Sequence, residues 1–483
     1  MGNIKIVKNY IYNTIYQILI LIAPLVTTPY VARVLSVTNI GVYQYAEAIV
    51  NYFVLVGAVG TTLYGQREIA YLQEKPKERS TAFWEIELFR LATTLICTAV
   101  FYVVFCVRGT YSEVFTILTL EVLAVAFDIS WLYMGMENFK LIVIRNTIIK
   151  VTGVISVFLF VKKPSDLGIY TLCVTAPLFL GNISLWFSLK KYIVATGSTI
   201  LELARGIRRR IEPILILFLP QIAMDVYLLL DKTMIGIFGS SIDQVGYYSQ
   251  GQKIIMVFVK IVSSLGTVML PAMSAFFSKG DIDGIMISIK RAFRFTYMLS
   301  FALLFGVCAI ARRFVPLFFG EGYEPVIPLM IIISPIIVII GTSNVIGRQF
   351  LLPTNQNKAF TASIFAGAVV NFTLNTILIH FWDAVGASIS TVIAELVVTG
   401  VQCWFIKGMI PFKDILRLAL RYCLFGFVMF AVCKTFDYLL PIDRIWVVIV
   451  IVFMGIFVYS SELLLTKDPI VNTIQKLLLQ KAA

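Results

Sequence analysis

Apolar residues gather into fourteen runs near 20 residues long, separated by short polar loops. The runs cover roughly residues 12–34, 41–65, 83–107, 113–134, 142–161, 167–188, 211–237, 245–272, 292–318, 325–350, 361–381, 385–406, 414–434 and 442–463. A helix needs about 20 apolar residues to cross a bilayer's hydrocarbon core. None of the runs shows the short alternating segments of a barrel strand. The pattern therefore predicts an all-α polytopic membrane protein with about fourteen transmembrane helices.

Composition narrows the class further. Hydrophobic residues make up 59% of the chain and charged residues 14%, with a mean hydropathy of +0.89. Soluble domains carry about 25% charge, and so much apolar surface could not be hidden in water. A soluble enzyme, a disordered chain and a secreted disulfide scaffold are excluded. The seven cysteines lie within or at the ends of apolar runs and form no C-x-x-C pair. His380 is the single histidine. Neither a zinc site nor a multi-histidine centre is supported. Lys5 and Lys8 precede the first run without a small-residue cleavage signal after it, which predicts a retained first span.

The longest loop, about 189–210, contains STILELARGIRRRIE. Ile200, Leu203, Ala204 and Ile207 share one helical face, and Arg205, Arg208 and Arg209 face elsewhere. Such a segment suits an interfacial helix. It suggests an N-lobe over 1–197, an interfacial linker helix over 198–210 and a C-lobe over 211–406. Helices 13 and 14 and a cytoplasmic tail then occupy 407–483. A second, smaller amphipathic stretch lies at 281–291. GVYQYAEAIV from Gly41 is echoed by GYYSQGQKII from Gly246, each after a proline-bearing span, at Pro24 and Pro220. Parallel repeats of this kind suit two pseudo-symmetric lobes.

The net charge of +13 would suggest nucleic acid in a soluble protein, but here the basic residues occupy loops between spans. They fit topology anchors and partners of anionic membrane lipids. Charges inside the spans need a reason, since each costs about 2.5 kcal/mol or more in hydrocarbon. They are Arg33, Glu47, Arg90, Glu121 and Asp128 in the first half. In the second half they are Asp225, Asp231, Lys232, Lys253, Lys260, Arg348 and Glu395. One reading is a water-filled cationic cavity for a phosphate-bearing solute, lined by Arg33, Lys232, Lys253, Lys260 and Arg348. The other is structural pairing, with Glu47, Asp128, Asp225, Asp231 and Glu395 as charge partners, or snorkelling to the interface. Asn371 and Asn375, one helical turn apart, either join helices or line the cavity. Prolines such as Pro177 and Pro335 allow bends around a cavity. No hydrolase, metalloprotease or P-loop motif is present, so no enzyme and no resident cofactor are expected.

With these residues in place, a family resemblance emerges. TTPYVARVLSVTNIGVYQYAEAIVNYF (27–53), GQREIAY (65–71), DISWLYMGMENFK (128–140), LLLDKTMIGIFGSSIDQVGYYSQGQKI (228–254), VMLPAMSAFFSKGD (268–281) and NFTLNTILIHFWDAVGASISTVIAEL (371–396) together resemble the oligosaccharide flippases. These are polysaccharide biosynthesis export proteins of the superfamily that also holds multidrug exporters and the lipid II flippase. The resemblance implies two lobes, helices one to six and seven to twelve, around a central cavity. It implies an oligosaccharide repeat unit linked through pyrophosphate to undecaprenol as substrate, moved across the bacterial cytoplasmic membrane by alternating access. It also implies a cationic grip on the pyrophosphate, and a polysaccharide polymerase and glycosyltransferases as partners. Arg33 falls on the family's early arginine, and Asp231 with Lys232 on its aspartate-plus-basic pair. Gln250, Gly251, Gln252 and Lys253 stand where the family often has an acid, which leaves a coupling ion, Na+ or H+, open. The alternatives are a lipid II flippase and a multidrug exporter, the latter expected to have a more acidic cavity.

With the N-terminus inside, 28 Lys and Arg fall in inner loops, ends and tails and 8 in outer ones. That asymmetry places both termini in the cytoplasm. Single cysteines introduced by Lys75→Cys, Arg208→Cys and Lys358→Cys should then resist an impermeant thiol reagent in intact cells. Labelling of all three from outside would invert the topology.

Overall fold

The structure is a computed structural model. It describes residues 19–20, 22–107, 109–197, 199–440 and 445–470. Lys5, Lys8, Arg108, Arg444, Lys476 and Lys481, which entered the charge asymmetry, lie outside the described residues, as does the start of the first expected span.

The described chain is helical throughout, apart from loops and one isolated bridge between Lys407 and Ile410. Helix α1 covers residues 22–34. It is followed by α2 (Val37–Ala58), α3 (Thr61–Tyr71), α4 (Pro76–Phe101), α5 (Ser112–Phe127), α6 (Ser130–Gly135), α7 (Phe139–Phe160) and α8 (Leu167–Ser184). Then come α9 (Ile200–Phe238), α10 (Asp243–Ser278), α11 (Ile282–Phe319), α12 (Val326–Ile333), α13 (Ile336–Ile346), α14 (Asn357–Phe405), α15 (Phe412–Leu439) and α16 (Ile445–Leu465). Among the described residues, ten helical segments are long and apolar enough to cross a membrane.

That ten counts only described segments of sufficient length and apolarity, and each of the fourteen apolar runs falls on helix where it is described. The runs 361–381 and 385–406 are two helices that meet within α14 at a sharp kink, where Asp383 has φ 48° and ψ −129°. Asp383 is held there because its carboxylate accepts from the Ser240 backbone N–H at 2.6 Å and the Ser240 hydroxyl at 2.8 Å. The runs 211–237 and 245–272 lie inside α9 and α10, of 39 and 36 residues. From Ile200 on, the linker segment is the opening of α9, with no break before the span. The stretch 281–291 likewise becomes the start of α11, capped where Asp281 accepts from the Gly284 N–H at 2.8 Å. Amphipathic patterning marks a helix entering the interface, but it carries no signal for a stop.

Packing divides the chain into two compact units. One comprises Met1–Ile237 with Ser241–Gly246, the other Phe238–Ser240 with Tyr247–Ala483. In the first, the GQREIAY and DISWLYMGMENFK segments form α3 and α6 and pack on each other. The Trp131 ring is buried there and stacks on Phe83, with ring centroids 5.4 Å apart. Asn138 donates to the Tyr192 hydroxyl at 2.8 Å, and the Tyr133 hydroxyl donates to the Leu185 carbonyl at 2.5 Å. Much of what makes these motifs recognisable is thus a packing requirement. In the second unit the core lies among α11, α13, α15 and α16, with Phe293, Tyr297, Tyr422 and Met429 buried in it. Large apolar side chains such as Phe187, Phe381, Trp404 and Phe457 point outward, as a lipid-facing surface requires and water would not tolerate.

A Cβ at Gly65 would lie 2.4 Å from Trp131 Cε3, so Gly65→Ala must displace a buried indole. Overpacking of this kind costs about 1–3 kcal/mol. The variant should show a clearly lower melting temperature in detergent. Gly306→Ala, with nothing within 4 Å of its Cβ, should not.

Candidate functional site

In the first unit, the buried charge is organised around Asp128. Helix α5 stops at this residue, whose backbone turns to φ −81° and ψ 87°. Its carboxylate accepts from the Ser130 N–H at 3.1 Å and so opens α6. The same carboxylate faces two arginines, Arg90 Nη2 at 3.7 Å and Arg145 Nη1 at 3.8 Å. Arg90 is 2% exposed. Its Nε donates to the Val125 carbonyl at 2.8 Å and its Nη1 to Thr62 Oγ1 at 3.3 Å. Arg145 donates to Asn182 Oδ1 at 2.7 Å, and Asn182 donates on to the Ala124 carbonyl at 2.7 Å. One carboxylate therefore ties together α4, α5, α7 and α8. Asp128 and Arg90 stand out in the sequence as charges inside apolar runs, whereas Arg145, near the start of its run, does not. Nor does Glu87, which is 3% exposed, one turn from Arg90, and without a hydrogen bond to either oxygen among the described residues.

A second cluster fixes the start of α9. Arg210 donates to Glu85 at 2.5 Å, Glu68 at 2.7 Å and the Tyr64 hydroxyl at 3.0 Å. Its neighbours Arg205, Arg208 and Arg209 stay exposed. The triplet Arg208–Arg210 reads as one basic patch in sequence, and only the fold separates the residue that docks the helix from the two that face outward.

Further along α9, Lys232 donates to Gln44 Oε1 at 2.7 Å. Gln44 Nε2 donates to Glu47 at 3.0 Å, and the Tyr43 hydroxyl donates to the same carboxylate at 3.4 Å. Asp231 is buried, Asp225 is half-buried, and Arg33 is exposed on α1. Glu121 on α5 lies close enough to Glu47 for their charges to interact.

In the second unit, Lys253 is half-buried and Lys260 exposed, both on α10. Arg348 projects outward from a π-turn, Gly347–Leu351, whose other residues are buried. Such turns recur at functional positions. Asn375 donates to Asn371 Oδ1 at 3.1 Å, with both side chains fully buried in α14. Glu395 is half-buried on the same helix. Tyr248 shares a 3.1 Å hydrogen bond with Thr391, and Gln252 donates to the Tyr248 hydroxyl at 3.1 Å.

The cations thus fall into two kinds. Arg90, Arg145, Arg210 and Arg313 face carboxylates, Arg313 that of Asp437. Lys232, Lys260 and Arg348 make no ion pair among the described residues, and Lys232 is held by a neutral amide. Of the five proposed substrate cations, Arg33 and Lys232 lie in the first unit and Lys253, Lys260 and Arg348 in the second. Among the described residues no group of three or more His, Cys, Asp or Glu is placed to hold a metal ion.

Two helical units crossed by apolar segments, with charge retained inside them, define an integral membrane protein. The family model described as polysaccharide biosynthesis protein matches residues 6–277, more than half of the chain, and the protein belongs to that family. It is 23% identical over 406 residues to an Escherichia coli K12 protein named as an O-antigen transporter, covering 83% of this chain and 96% of the relative. It is 22% identical over 245 residues, 50% of each chain, to a Haloferax volcanii protein named as a low-salt glycan biosynthesis flippase, Agl15. In fold it is similar to the lipid II flippase MurJ in an inward closed conformation. That likeness has a TM-score of 0.76 and 16% identity, and covers 96% of this chain and 100% of the other.

Asp128→Asn would leave Arg90 and Arg145 buried without their shared carboxylate. Removing one partner of a buried pair costs about 3–5 kcal/mol, less here because Asp128 is partly exposed. The amount of monodisperse protein on size exclusion should fall sharply and recover in part with Arg145→Gln added. Lys260→Gln and Arg348→Gln should leave it near normal.

Proposed function

We propose that the protein is a flippase for undecaprenyl-pyrophosphate-linked oligosaccharide repeat units. It carries them from the cytoplasmic to the outer leaflet of the bacterial cytoplasmic membrane by alternating access, for cell-surface polysaccharide synthesis. Both termini are cytoplasmic, and the chain works as a transporter without chemistry of its own. The observation that carries this reading is Lys232, a part-buried cation held by a neutral amide and without an ion pair among the described residues. A bare ammonium or guanidinium in a low-dielectric site is costly unless a ligand completes it. A pyrophosphate is the matching anion, which arginine can grip through two oxygens and lysine through one. Arg33, Lys232, Lys253, Lys260 and Arg348 engage it. The names of the relatives, O-antigen transporter and glycan biosynthesis flippase, support the same substrate class. The likeness to MurJ keeps lipid II as the second reading, since its headgroup is also a pyrophosphate-linked sugar.

Deleting the gene should cause lipid-linked oligosaccharides to accumulate, as read by mass spectrometry of lipid extracts. Accumulation of lipid II instead would favour the second reading. Neutralising Arg33, Lys253, Lys260 and Arg348 together with Gln should abolish glycan export per inserted molecule, and normal export in that variant would overturn the cationic grip.

A further inference from the structure

The geometry points to Gln44 as the residue that positions Lys232 for an anionic headgroup, by tethering its ammonium without neutralising it. This rests on the reading of Lys232 as a pyrophosphate ligand and adds the device that keeps it available.

The donor and acceptor inventory fixes the arrangement. Glu47 as a carboxylate can only accept, and the Lys232 ammonium can only donate. A side-chain amide is neutral and does both. Gln44 turns its NH2 to Glu47 at 3.0 Å and its carbonyl oxygen to Lys232 at 2.7 Å. The opposite amide orientation would set NH2 against ammonium and oxygen against carboxylate, so it is excluded by chemistry. Gln44 is 5% exposed, and a buried amide with both ends bonded has little freedom to turn.

Helix geometry prepares the anchor. Tyr43, Gln44 and Glu47 lie on one stretch of α2, with Glu47 three residues after Gln44 and four after Tyr43. These are the spacings at which helical side chains meet. Lys232 is brought up by α9, whose Thr233 hydroxyl donates to the Tyr52 hydroxyl at 3.3 Å. One turn further on, a Cβ at Gly236 would lie 2.1 Å from Tyr45 Cδ2. The two helices approach closely at that point, and this sets the reach of Lys232.

The consequence is electrostatic. An ammonium has three donors, and Gln44 occupies one. No carboxylate among the described residues lies within ion-pair distance of Lys232, in contrast to Arg210 between Glu68 and Glu85. The charge is therefore fixed in place and uncancelled, with two N–H groups left for phosphate oxygens. A carboxylate at position 44 would convert the tether into an ion pair and would face Glu47 with a like charge.

The test measures binding of farnesyl pyrophosphate to the purified full chain in nanodiscs, for the native protein, Gln44→Glu, Gln44→Met, Lys232→Gln and the double variants. Gln44→Glu should weaken binding about tenfold, the scale of one charged hydrogen bond. Gln44→Met, which keeps the shape and deletes both hydrogen bonds, should weaken it less and serves if Gln44→Glu does not fold. The decisive readout is coupling: in the Lys232→Gln background neither change at position 44 should weaken binding further. Equal losses in both backgrounds would reduce Gln44 to a structural role and overturn the proposal. Weak binding by Lys232→Gln with native binding by both Gln44 variants would overturn it while leaving Lys232 as a ligand. Native binding by Lys232→Gln would remove Lys232 from the site, and the proposal with it.

Discussion

Hydrocarbon offers no water to a buried charge, and this constraint shapes the whole interior. A charge there must meet an opposite charge, a set of hydrogen bonds or a ligand. Asp128 satisfies it for Arg90 and Arg145 at once, and in doing so it ends α5, opens α6 and ties α4, α7 and α8 to the same point. Arg210 satisfies it at the start of α9 with Glu68 and Glu85. Charge that would be a liability in lipid becomes the means of fixing helices, because a pair works only when both helices are in place.

The same constraint separates structure from function. An arginine matched to a carboxylate has little left to offer an anion. Lys232 differs because its partner is neutral, and Lys260 and Arg348 differ because they reach outward. The stabilising clusters and the cations proposed to bind ligand use the same residue types, so the distinction lies in partner chemistry. It cannot be read from a residue list.

This explains what the sequence revealed. Apolar run length is a local property, so the helices were legible in nearly the right places. Where one helix ends and the next begins was less so. The kink that divides α14 is held where Asp383 meets Ser240, 143 residues away. The intramembrane charges were also legible, since each is an anomaly against its own run. Their partners were not. Lys232 and Gln44 are 188 residues apart, and Arg210 and Glu85 are 125 apart. A neutral glutamine in GVYQYAEAIV carries no signal at all until its neighbours are known. The family motifs were recognisable as a set, yet Trp131 and Tyr133 turn out to serve packing.

The internal echo between Gly41 and Gly246 gains a physical meaning of its own. A Cβ at Gly41 would lie 2.2 Å from the Ile242 carbonyl oxygen, and one at Gly246 would lie 2.6 Å from that of Val37. The two glycines sit against each other, each making room for the other's backbone where α2 and α10 begin. Small residues are what let helices approach this closely in a membrane. Of the matched positions, the two glycines share this one crossing. That crossing lies one turn before Gln44 on α2, and α9 delivers Lys232 immediately before the corner that leads to Gly246. The close glycine contact and the amide tether are thus two parts of the same junction, one setting the distance between backbones and the other using it to place a charge.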